Sequence, residues 1–582
     1  MRPRIVVKPT GRKVQPASPS LRRGIDHLIQ GDARKRPFFS SCWSSTPYPK
    51  GSEVIDSYTV LGATVTILSL SGGARNMYHV IPWEYRMPDS WMGMMRDVVR
   101  DIQQRPPERI ADSMEGLRQQ IETRAREVLG VITEYSESGL PGDPMERMDI
   151  IAMLSEIVGR YTVGLGIMEI LLSDDRVEDV FVDAPCDSNP IHVTIGGMGD
   201  SSFVVRCPTN IIAGRDEMEG LASRLRQYSG RSFSQAFPVM ETDVPGFETR
   251  ATMIGPPLSP EGNALALRRR SRIPWTLPRM IHNGTMDPMA TGLLSFLMDG
   301  SSTMLIAGAR GSGKSSLLSA LLFEFPLTQR ILTIEDTAEL PVRQMQVMGF
   351  NVQSLLVEQG LGESLEMKVE EALRVSLRLG ESAIVLGEVR GREAQTLYEG
   401  MRTGRAGSAV LGTIHGDSAI SVYERVVHDM GIAPEAFGAT DIIITMGMMR
   451  ARGSQGRVRG IQEISELSRE RGPGEFNRLG VHDPASGMLR LDLEGSEILE
   501  RISGKWGITP EESIENIRVR ARLRESLVNL ARVKGKEYLN PSWLLRSNEF
   551  LLHSMNSGQD AESLCERFDE WLSRRGGVET IC

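Results

Sequence analysis

Several kinds of residue are scarce in this chain of 582 residues, and each scarcity excludes a class of protein. Only five cysteines are present and no two form a CxxC pair, so we expect a reducing compartment, no disulfide and no zinc. Aromatic residues make up 5% of the chain, which is little for a protein that stacks nucleic-acid bases. No apolar run approaches the roughly 18 residues that a membrane-spanning helix needs. We therefore expect a cytoplasmic protein.

Charge is nearly balanced overall but is unevenly distributed. The chain has 67 basic and 75 acidic residues, a net charge of −8, yet residues 1–36 contain ten Lys or Arg and only two Asp or Glu. We interpret this segment as a solvated arm, with contact to anionic lipid or nucleic acid as the alternative, and we do not expect a secretory signal. The acidic remainder argues against a dedicated DNA-binding protein.

Hydrophobic spacing and turn clusters divide the chain into five expected regions. The N-terminal part mixes short strand-like runs with helical stretches, the central part alternates strand and helix, and the final part has helical spacing without a clear strand. The expected regions are a basic disordered arm (1–50), an N-terminal α+β region (51–145), a second α+β domain (146–272), an α/β domain (273–495) and a helical C-terminal extension (496–582).

The expected α/β domain contains short runs of β-branched residues and leucine that alternate with helical stretches. Such alternation predicts βαβ units and hence a doubly wound, mainly parallel sheet. The runs are TMLIAG (303–308), RILTIED (330–336), AIVLGE (383–388), AVLGTIH (409–415) and TDIIITM (440–446).

A phosphate-binding motif follows the first of these runs. Residues 308–315 read GARGSGKS, which fits GxxxxGK[ST], and they lie between a predicted strand and a predicted helix. Glycines let backbone N–H groups curl around an anion, and the helix N-terminus adds partial positive charge. Lys314 can reach the β- and γ-phosphates of a nucleotide, and the hydroxyl of Ser315 can bind Mg²⁺.

Carboxylates follow two further strands of the predicted sheet. Glu335, Asp336 and Glu339 come at or after the end of one strand, and Glu388 ends another. The carboxyl ends of parallel strands line the ligand crevice of a doubly wound sheet. A carboxylate there can hold Mg²⁺ through water or polarise the attacking water. His415 also ends a strand, where it could sense the γ-phosphate.

Four segments in a fixed order resemble one known family. LIAGARGSGKSS, ILTIEDTAEL, SLRLGESAIVLGEVRGREA and GSAVLGTIHGDSA are similar to the Walker A, Asp box, Walker B and His box of the type II/type IV secretion and pilus-assembly ATPases. The GTIHGDS form looks like the archaeal branch. The resemblance covers residues 155–465, and more weakly 52–135. It implies a RecA-like motor domain that follows a smaller α+β domain.

The resemblance assigns roles to individual residues. It implies that Glu388 activates water and, with Ser315, holds Mg²⁺, and that His415 is the His-box histidine. It also implies that Lys314 and Ser315 bind phosphate and that Arg250 and the cluster Arg268–Arg270 contact the nucleotide. The alternative for Arg268–Arg270 is a solvated strand end. The implied catalytic residues are Glu388, Glu339, Glu335, Asp336, Arg390 and His415. The implied nucleotide-binding residues are Gly308, Arg310, Gly311, Ser312, Gly313, Lys314, Ser315, Ser316, Arg250, Arg268 and Arg269.

Two positions depart from the usual pattern of the family. Arg405 stands where bacterial members have the first histidine of the His box, so a role tied to that histidine does not carry over. Arg310 inside the P-loop could touch phosphate or point to solvent.

The resemblance also implies a function. The protein would hydrolyse ATP with Mg²⁺ in a homohexameric ring, with a hinge near residues 271–278. It would drive a polytopic membrane platform protein, and pilin-like subunits indirectly, while docked at the inner face of the cell membrane. Membership of the family does not determine whether the machine is a pilus, an archaellum or a secretion system. It also does not determine whether the motor drives assembly or retraction.

Two other functions remain as alternatives. A DNA-translocating ring ATPase would require DNA-stimulated turnover. A regulatory paralogue that only binds nucleotide would not need Lys314, Ser315 and Glu388 all to be present. The helical extension beyond residue 496 could dock a partner, stabilise a ring or simply pack on the α/β domain.

Overall fold

We describe a computed structural model of the chain. The described residues are 37–70, 75–106, 114–135, 140–196, 204–244, 246–269, 273–357, 365–380, 382–391, 393–402, 409–450, 457–483, 487–555 and 561–575. Our expectations for the basic segment 1–36, for Arg270 and for Arg405 lie outside these residues. The described residues form two units. Among the described helices, none is both long and apolar enough to cross a bilayer.

The first unit consists of the described residues up to 196 and from 205 to 269. Its ten strands form one sheet in the order β2-β3-β4-β7-β6-β5-β10-β9-β8, and β1 pairs with β7. The strands are β1 (Trp43–Ser44), β2 (Glu53–Val60), β3 (Ala63–Ser69), β4 (Asn76–Ile81), β5 (Val177–Val182), β6 (Pro190–Gly196), β7 (Val204–Ile212), β8 (Val239–Val244), β9 (Thr249–Ile254) and β10 (Ala264–Arg269). The helices are α1 (Asp89–Gln104), α2 (Met114–Tyr135), α3 (Pro144–Thr162), α4 (Ile167–Leu172) and α5 (Arg215–Ser229).

Helices α1, α2 and α3 share one apolar core. Trp91 and Met95 from α1 pack with Leu129 from α2 and with Leu154 from α3, and all four are buried. The regions that we expected on either side of residue 145 therefore contribute to one core and one sheet, and α3 begins at Pro144 behind its Asp143 cap.

The described part of the expected disordered arm, residues 37–50, does not have the structure that the sequence suggested. Residues 37–50, which we assigned to that arm, pack on the first unit instead. Cys42 is completely buried, β1 pairs with β7, and the hydroxyl of Ser41 accepts a hydrogen bond from the N–H of Glu217 at 2.9 Å. Buried contacts of this kind supply what a free arm lacks, so the arm expectation was wrong for these residues.

The second unit contains a sheet of nine strands in the order β13-β12-β14-β15-β11-β16-β17-β18-β19. Strands β13 to β16 in this order run parallel, and β16 to β19 are antiparallel. The strands are β11 (Met304–Gly308), β12 (Arg330–Glu335), β13 (Asn351–Leu356), β14 (Ala383–Val389), β15 (Val410–Ile414), β16 (Ile442–Arg450), β17 (Arg457–Leu467), β18 (Phe476–Asp483) and β19 (Met488–Leu491). All five strands predicted from the alternating runs are present.

Helices cover both faces of this sheet. On β11, Met304 and Ile306 face one apolar core, and Leu305 and Ala307 face the other, because successive side chains of a strand point to opposite sides. The doubly wound, RecA-like fold expected for this region is thus confirmed. Its helices are α6 (Leu277–His282), α7 (Pro288–Asp299), α8 (Lys314–Leu322), α9 (Val342–Val347), α10 (Leu365–Ser376), α11 (Glu393–Arg402), α12 (Ala419–Glu424) and α13 (Pro434–Phe437).

The C-terminal helices pack on the same unit as the sheet. They are α14 (Glu497–Trp506), α15 (Pro510–Lys534), α16 (Pro541–Met555) and α17 (Ala561–Arg575). Ile498, Ile517 and Leu544 from these helices belong to the apolar core that lies on one face of the sheet. Among the alternatives for this extension, packing on the α/β domain is therefore what the structure shows.

Candidate active site

The phosphate-binding loop lies between β11 and α8, as the motif predicts. Gly308, Gly311 and Gly313 have φ values of 151°, 80° and 101°, which side chains rarely tolerate. A Cβ atom on Gly308 would lie 2.5 Å from the carbonyl oxygen of Met446. Only glycine fits there, so the backbone can form a tight cradle at the N-terminus of α8.

Lys314 is the first residue of α8 and folds back over the loop. Its Nζ donates to the carbonyl oxygens of Gly308 at 2.8 Å and Ala309 at 3.0 Å. Burial lowers the pKa of Lys314 below its ordinary value, and the charges of Glu388 and Glu339 act in the opposite direction. The lysine therefore lies within electrostatic reach of two carboxylates that the sequence singled out.

The remaining residues of the loop differ in exposure. Arg310 is exposed, Ser315 and Ser316 are half-buried, and Ser312 is buried. The hydroxyl of Ser312 has no hydrogen-bond partner in the described part of the chain, and its Oγ would lie 2.5 Å from a Cβ on Gly308. The half-buried hydroxyl of Ser315 is a hard oxygen donor in the first turn of α8, which suits Mg²⁺.

Four of the predicted side chains are brought together at the carboxyl ends of β12, β14 and β15. Arg390 donates from Nε to Oε2 of Glu388 at 2.7 Å and from Nη1 to Oδ2 of Asp336 at 3.0 Å. A second bond from its Nη2 also reaches Oε2 of Glu388. Nε2 of His415 lies 2.9 Å from Oε1 of the same glutamate. Both oxygens of Glu388 thus face a basic group.

The imidazole of His415 is half-exposed. Partial burial, together with the charge of Lys314, lowers its pKa below the ordinary value, although Glu388 opposes this. The neutral form is therefore favoured at pH 7.

Glu335 is placed differently from the other acids. Its carboxylate is buried, and Oε1 accepts hydrogen bonds from the N–H groups of Glu339 at 2.8 Å and Leu340 at 3.0 Å. It therefore holds the turn that follows β12. The exposed Glu339 is carried on that turn, in electrostatic range of Lys314.

The three arginines predicted from the resemblance belong to the first unit, and each contacts a carboxylate there. Arg250 lies 2.5 Å from Glu241, Arg268 lies 3.4 Å from Asp179, and Arg269 lies 2.8 Å from Asp175. Their predicted contacts with nucleotide remain a prediction.

Sequence reasoning missed two residues that shape the site. The buried carboxylate of Glu393 accepts from the N–H groups of Arg390 at 2.5 Å and Gly391 at 2.9 Å, and so fixes the turn that carries the arginine. Arg459 on β17 donates from Nε to the carbonyl of Gly311 at 3.0 Å. Glu393 could have been found as an acid three residues after Arg390, but 148 residues separate Arg459 from Gly311 and no local pattern connects them.

The site combines a glycine-lined loop, a lysine at the N-terminus of the following helix and acids at the ends of nearby strands. Together with the fold, these features define a P-loop protein that binds nucleoside triphosphates.

Comparison with known proteins assigns the chain to one family within this class. Residues 246–482 match the family described as Type II/IV secretion system protein. A putative conjugal transfer protein of Mycobacterium tuberculosis is 30% identical over 333 residues, which span 56% of this chain and 85% of the relative. The chain belongs to the type II/IV secretion system ATPase family.

Other relatives come from archaea and bacteria. An uncharacterised protein of Methanocaldococcus jannaschii is 30% identical over 263 residues, 43% of this chain and 33% of that protein. A type IV secretion system PtlH homologue of Bordetella bronchiseptica is 26% identical over 231 residues, 36% of this chain and 67% of that protein. The resemblance inferred from the four boxes is thus confirmed.

Proposed function

We propose that the protein is the ATP-hydrolysing motor of a type II/type IV secretion or type IV pilus-like assembly system. The observation that carries this proposal is the placement of Lys314 and Glu388, 74 positions apart in the sequence, at the same end of one parallel sheet: the P-loop follows β11, Glu388 lies near the end of β14, and β15 pairs with both strands. A P-loop that merely bound phosphate would not need an acid placed within reach of its lysine.

The residues of the site divide the work of hydrolysis. Lys314 moves its ammonium from the loop carbonyls to the β- and γ-phosphates, where its charge stabilises the transition state. Glu388 orients and polarises the attacking water, and Glu335 fixes the turn that carries Glu339 towards the phosphates. Bound Mg²⁺, held by Ser315 and through water by Glu388, would neutralise charge that develops on the phosphate oxygens.

The motor function extends beyond the single site. We infer a homohexameric ring that sits at the inner face of the cell membrane and pushes on a polytopic platform protein, with pilin-like subunits moved indirectly. Family membership supports this proposal, and the name of the Bordetella relative refers to type IV secretion. Arg250, Arg268 and Arg269 would complete the nucleotide site, and residues 271–278 would act as the hinge.

Steady-state ATP turnover per subunit, measured against protein concentration, tests the proposal. We expect turnover to rise with concentration as rings assemble, to fall about 10²–10⁴-fold in Glu388→Gln, and to be lost with ATP binding in Lys314→Ala. Glu371→Gln, an exposed acid on α10, is the matched control. A Glu388→Gln variant that turns over like the parent would exclude Glu388 as the water-activating residue.

The same assay addresses a second candidate function. The Mycobacterium tuberculosis relative is described as a putative conjugal transfer protein, so a DNA-translocating ring is worth testing. Strong stimulation of turnover by single-stranded or duplex DNA would favour that function over the platform motor. Nucleotide binding without turnover at any concentration, in the presence of membranes and DNA, would favour a regulatory protein instead.

A further inference from the structure

Arg390 occupies a position between two acids where a divalent cation would otherwise be attracted. Its guanidinium spans Glu388, at the end of β14, and Asp336, which follows β12. The side chains of these acids are 17% and 28% exposed, so neither is fully screened by water. Two carboxylates that share one cation would repel each other without it.

The arginine is also held in this place from its backbone. Glu393, which is buried, accepts the N–H groups of Arg390 and Gly391. Partial burial works against the charge of Arg390, but the hydrogen bonds and charges of Glu388 and Asp336 outweigh it and raise the pKa of Arg390 above its ordinary value. The backbone of Arg390 is therefore held in place, and its guanidinium is a permanent cation.

Two further basic groups, His415 and Lys314, lie near Glu388. Oε1 is approached by His415, and Lys314 lies within electrostatic range. Oε2 of Glu388 is thus occupied by Arg390, whereas Oε1 lies beside His415 and has no hydrogen-bond partner among the described residues. A metal can therefore bind Oε2 of this carboxylate only when Arg390 withdraws.

We propose that Arg390 is a resident counter-ion that keeps divalent cations out of the acid pair of Glu388 and Asp336 until a nucleotide arrives. The incoming phosphates supply the negative charge that draws the guanidinium away and the oxygen ligands that bring the metal in. Metal binding is thereby coupled to nucleotide binding, and Oε2 of Glu388 becomes available to a metal only when substrate is present. Arg390 is a positioning residue in this scheme, which rests on the proposed ATPase function.

Binding of Mn²⁺ in the absence of nucleotide, followed by electron paramagnetic resonance of the free ion, tests the proposal on the full chain. We expect weak binding to the parent protein and at least about tenfold tighter binding to Arg390→Ala, because two partly buried carboxylates lose the arginine that bridges them. Arg390→Lys keeps a positive charge and should bind Mn²⁺ as weakly as the parent.

Two further variants make the outcome specific. The double variant Arg390→Ala with Asp336→Asn should lose the gained Mn²⁺ site, whereas Arg374→Ala, which removes an exposed arginine paired with Glu370, should behave like the parent. Equal Mn²⁺ affinity in the parent and Arg390→Ala would overturn the proposal, as would tight binding that survives in the double variant. Circular dichroism and retained ATP binding show that each variant is folded.

This experiment is independent of hydrolysis. If the protein has no ATPase activity, the Mn²⁺ titration still shows whether Arg390 prevents divalent cations from binding to Glu388 and Asp336. If Arg390→Ala gains no Mn²⁺ site while Glu388→Gln abolishes turnover, the counter-ion proposal fails and the proposed function stands.

Discussion

Two arginine–carboxylate pairs in the second unit have similar chemistry but different surroundings. Arg524 on α15 binds Glu324, which lies two residues beyond α8, and both side chains are 0% exposed. Arg390 binds Glu388 at the carboxyl end of β14, and its side chain is 46% exposed. The first pair joins a C-terminal helix to the end of the P-loop helix, and the second lies in the candidate active site.

The difference in burial predicts that the first pair is fixed and that the second can exchange its partners. Breaking a fully buried pair leaves a charge without water or partner, which costs several kcal/mol. A half-exposed pair can be replaced by water or by another ion at little cost. We infer that the chain uses the same chemical contact for architecture at one site and for control of a reactive carboxylate at the other.

The largest effect is expected from breaking the buried pair. Arg524→Ala should lower the free energy of unfolding by about 3–5 kcal/mol, because Glu324 would remain as an uncompensated buried charge and Ser295 and Asn548 would lose a donor. Denaturant unfolding followed by circular dichroism measures this. Replacing both partners by leucine should restore most of the loss, and a double variant no more stable than Arg524→Ala would contradict the electrostatic explanation.

An intermediate effect is expected at a neighbouring pair. Arg520 on α15 is buried, but its partner Asp299 at the end of α7 is 30% exposed and can be hydrated when the arginine is removed. We expect Arg520→Ala to cost about 1.5–3 kcal/mol, less than Arg524→Ala, in the same unfolding measurement. A loss equal to or larger than that of Arg524→Ala would show that burial of the carboxylate does not determine how much stability is lost.

A small effect on stability is expected at the active-site pair. Arg390→Ala should change the free energy of unfolding by less than about 1 kcal/mol, because water can take over the contacts of a half-exposed arginine. The control is Arg374→Ala, whose exposed pair on α10 is expected to be worth about 0.3–0.5 kcal/mol. If Arg390→Ala destabilised the unit by 3 kcal/mol, the pair would be architectural and the contrast would disappear.

The smallest expected effect is a pH dependence in the first unit. Burial lowers the pKa of His79 on β4 below its ordinary value, so the folded state binds this proton less readily than the unfolded state. Stability should therefore decrease as pH falls below about 6.5, the ordinary pKa of histidine. His79→Gln should flatten this part of the stability profile relative to the parent, and an unchanged profile would rule out His79 as the cause.

The sequence predicted much of the α/β domain because its central strands carry local signals. Buried parallel strands read as continuous apolar runs, which is why β11, β12, β14, β15 and β16 could be recognised. Strands β13, β17, β18 and β19 were not predicted, because their polar and charged residues interrupt such runs. On β17 the buried Ile461 and Ile464 are three residues apart, because an extra residue, Gln462, interrupts the pairing with β16, so the period of two that marks a strand is broken there.

The candidate site was predictable in its parts but not in its contacts. Motif spacing indicated Lys314, Glu388 and His415, and position at strand ends indicated where they meet. That Arg390 bridges Asp336 and Glu388 depends on two strands brought side by side by the sheet. The packing of α15 through Arg524 and Glu324 joins residues 200 positions apart, which no local pattern encodes.

The structure of the chain with Mg²⁺ and a non-hydrolysable ATP analogue tests the central contrast most directly. We expect Nζ of Lys314 to leave the carbonyls of Gly308 and Ala309 for the phosphates, and Arg390 to release at least one of its two acids. The Arg524–Glu324 pair should be unchanged. A nucleotide complex in which Arg390 still bridges Glu388 and Asp336, or in which the buried pair has separated, would contradict the account.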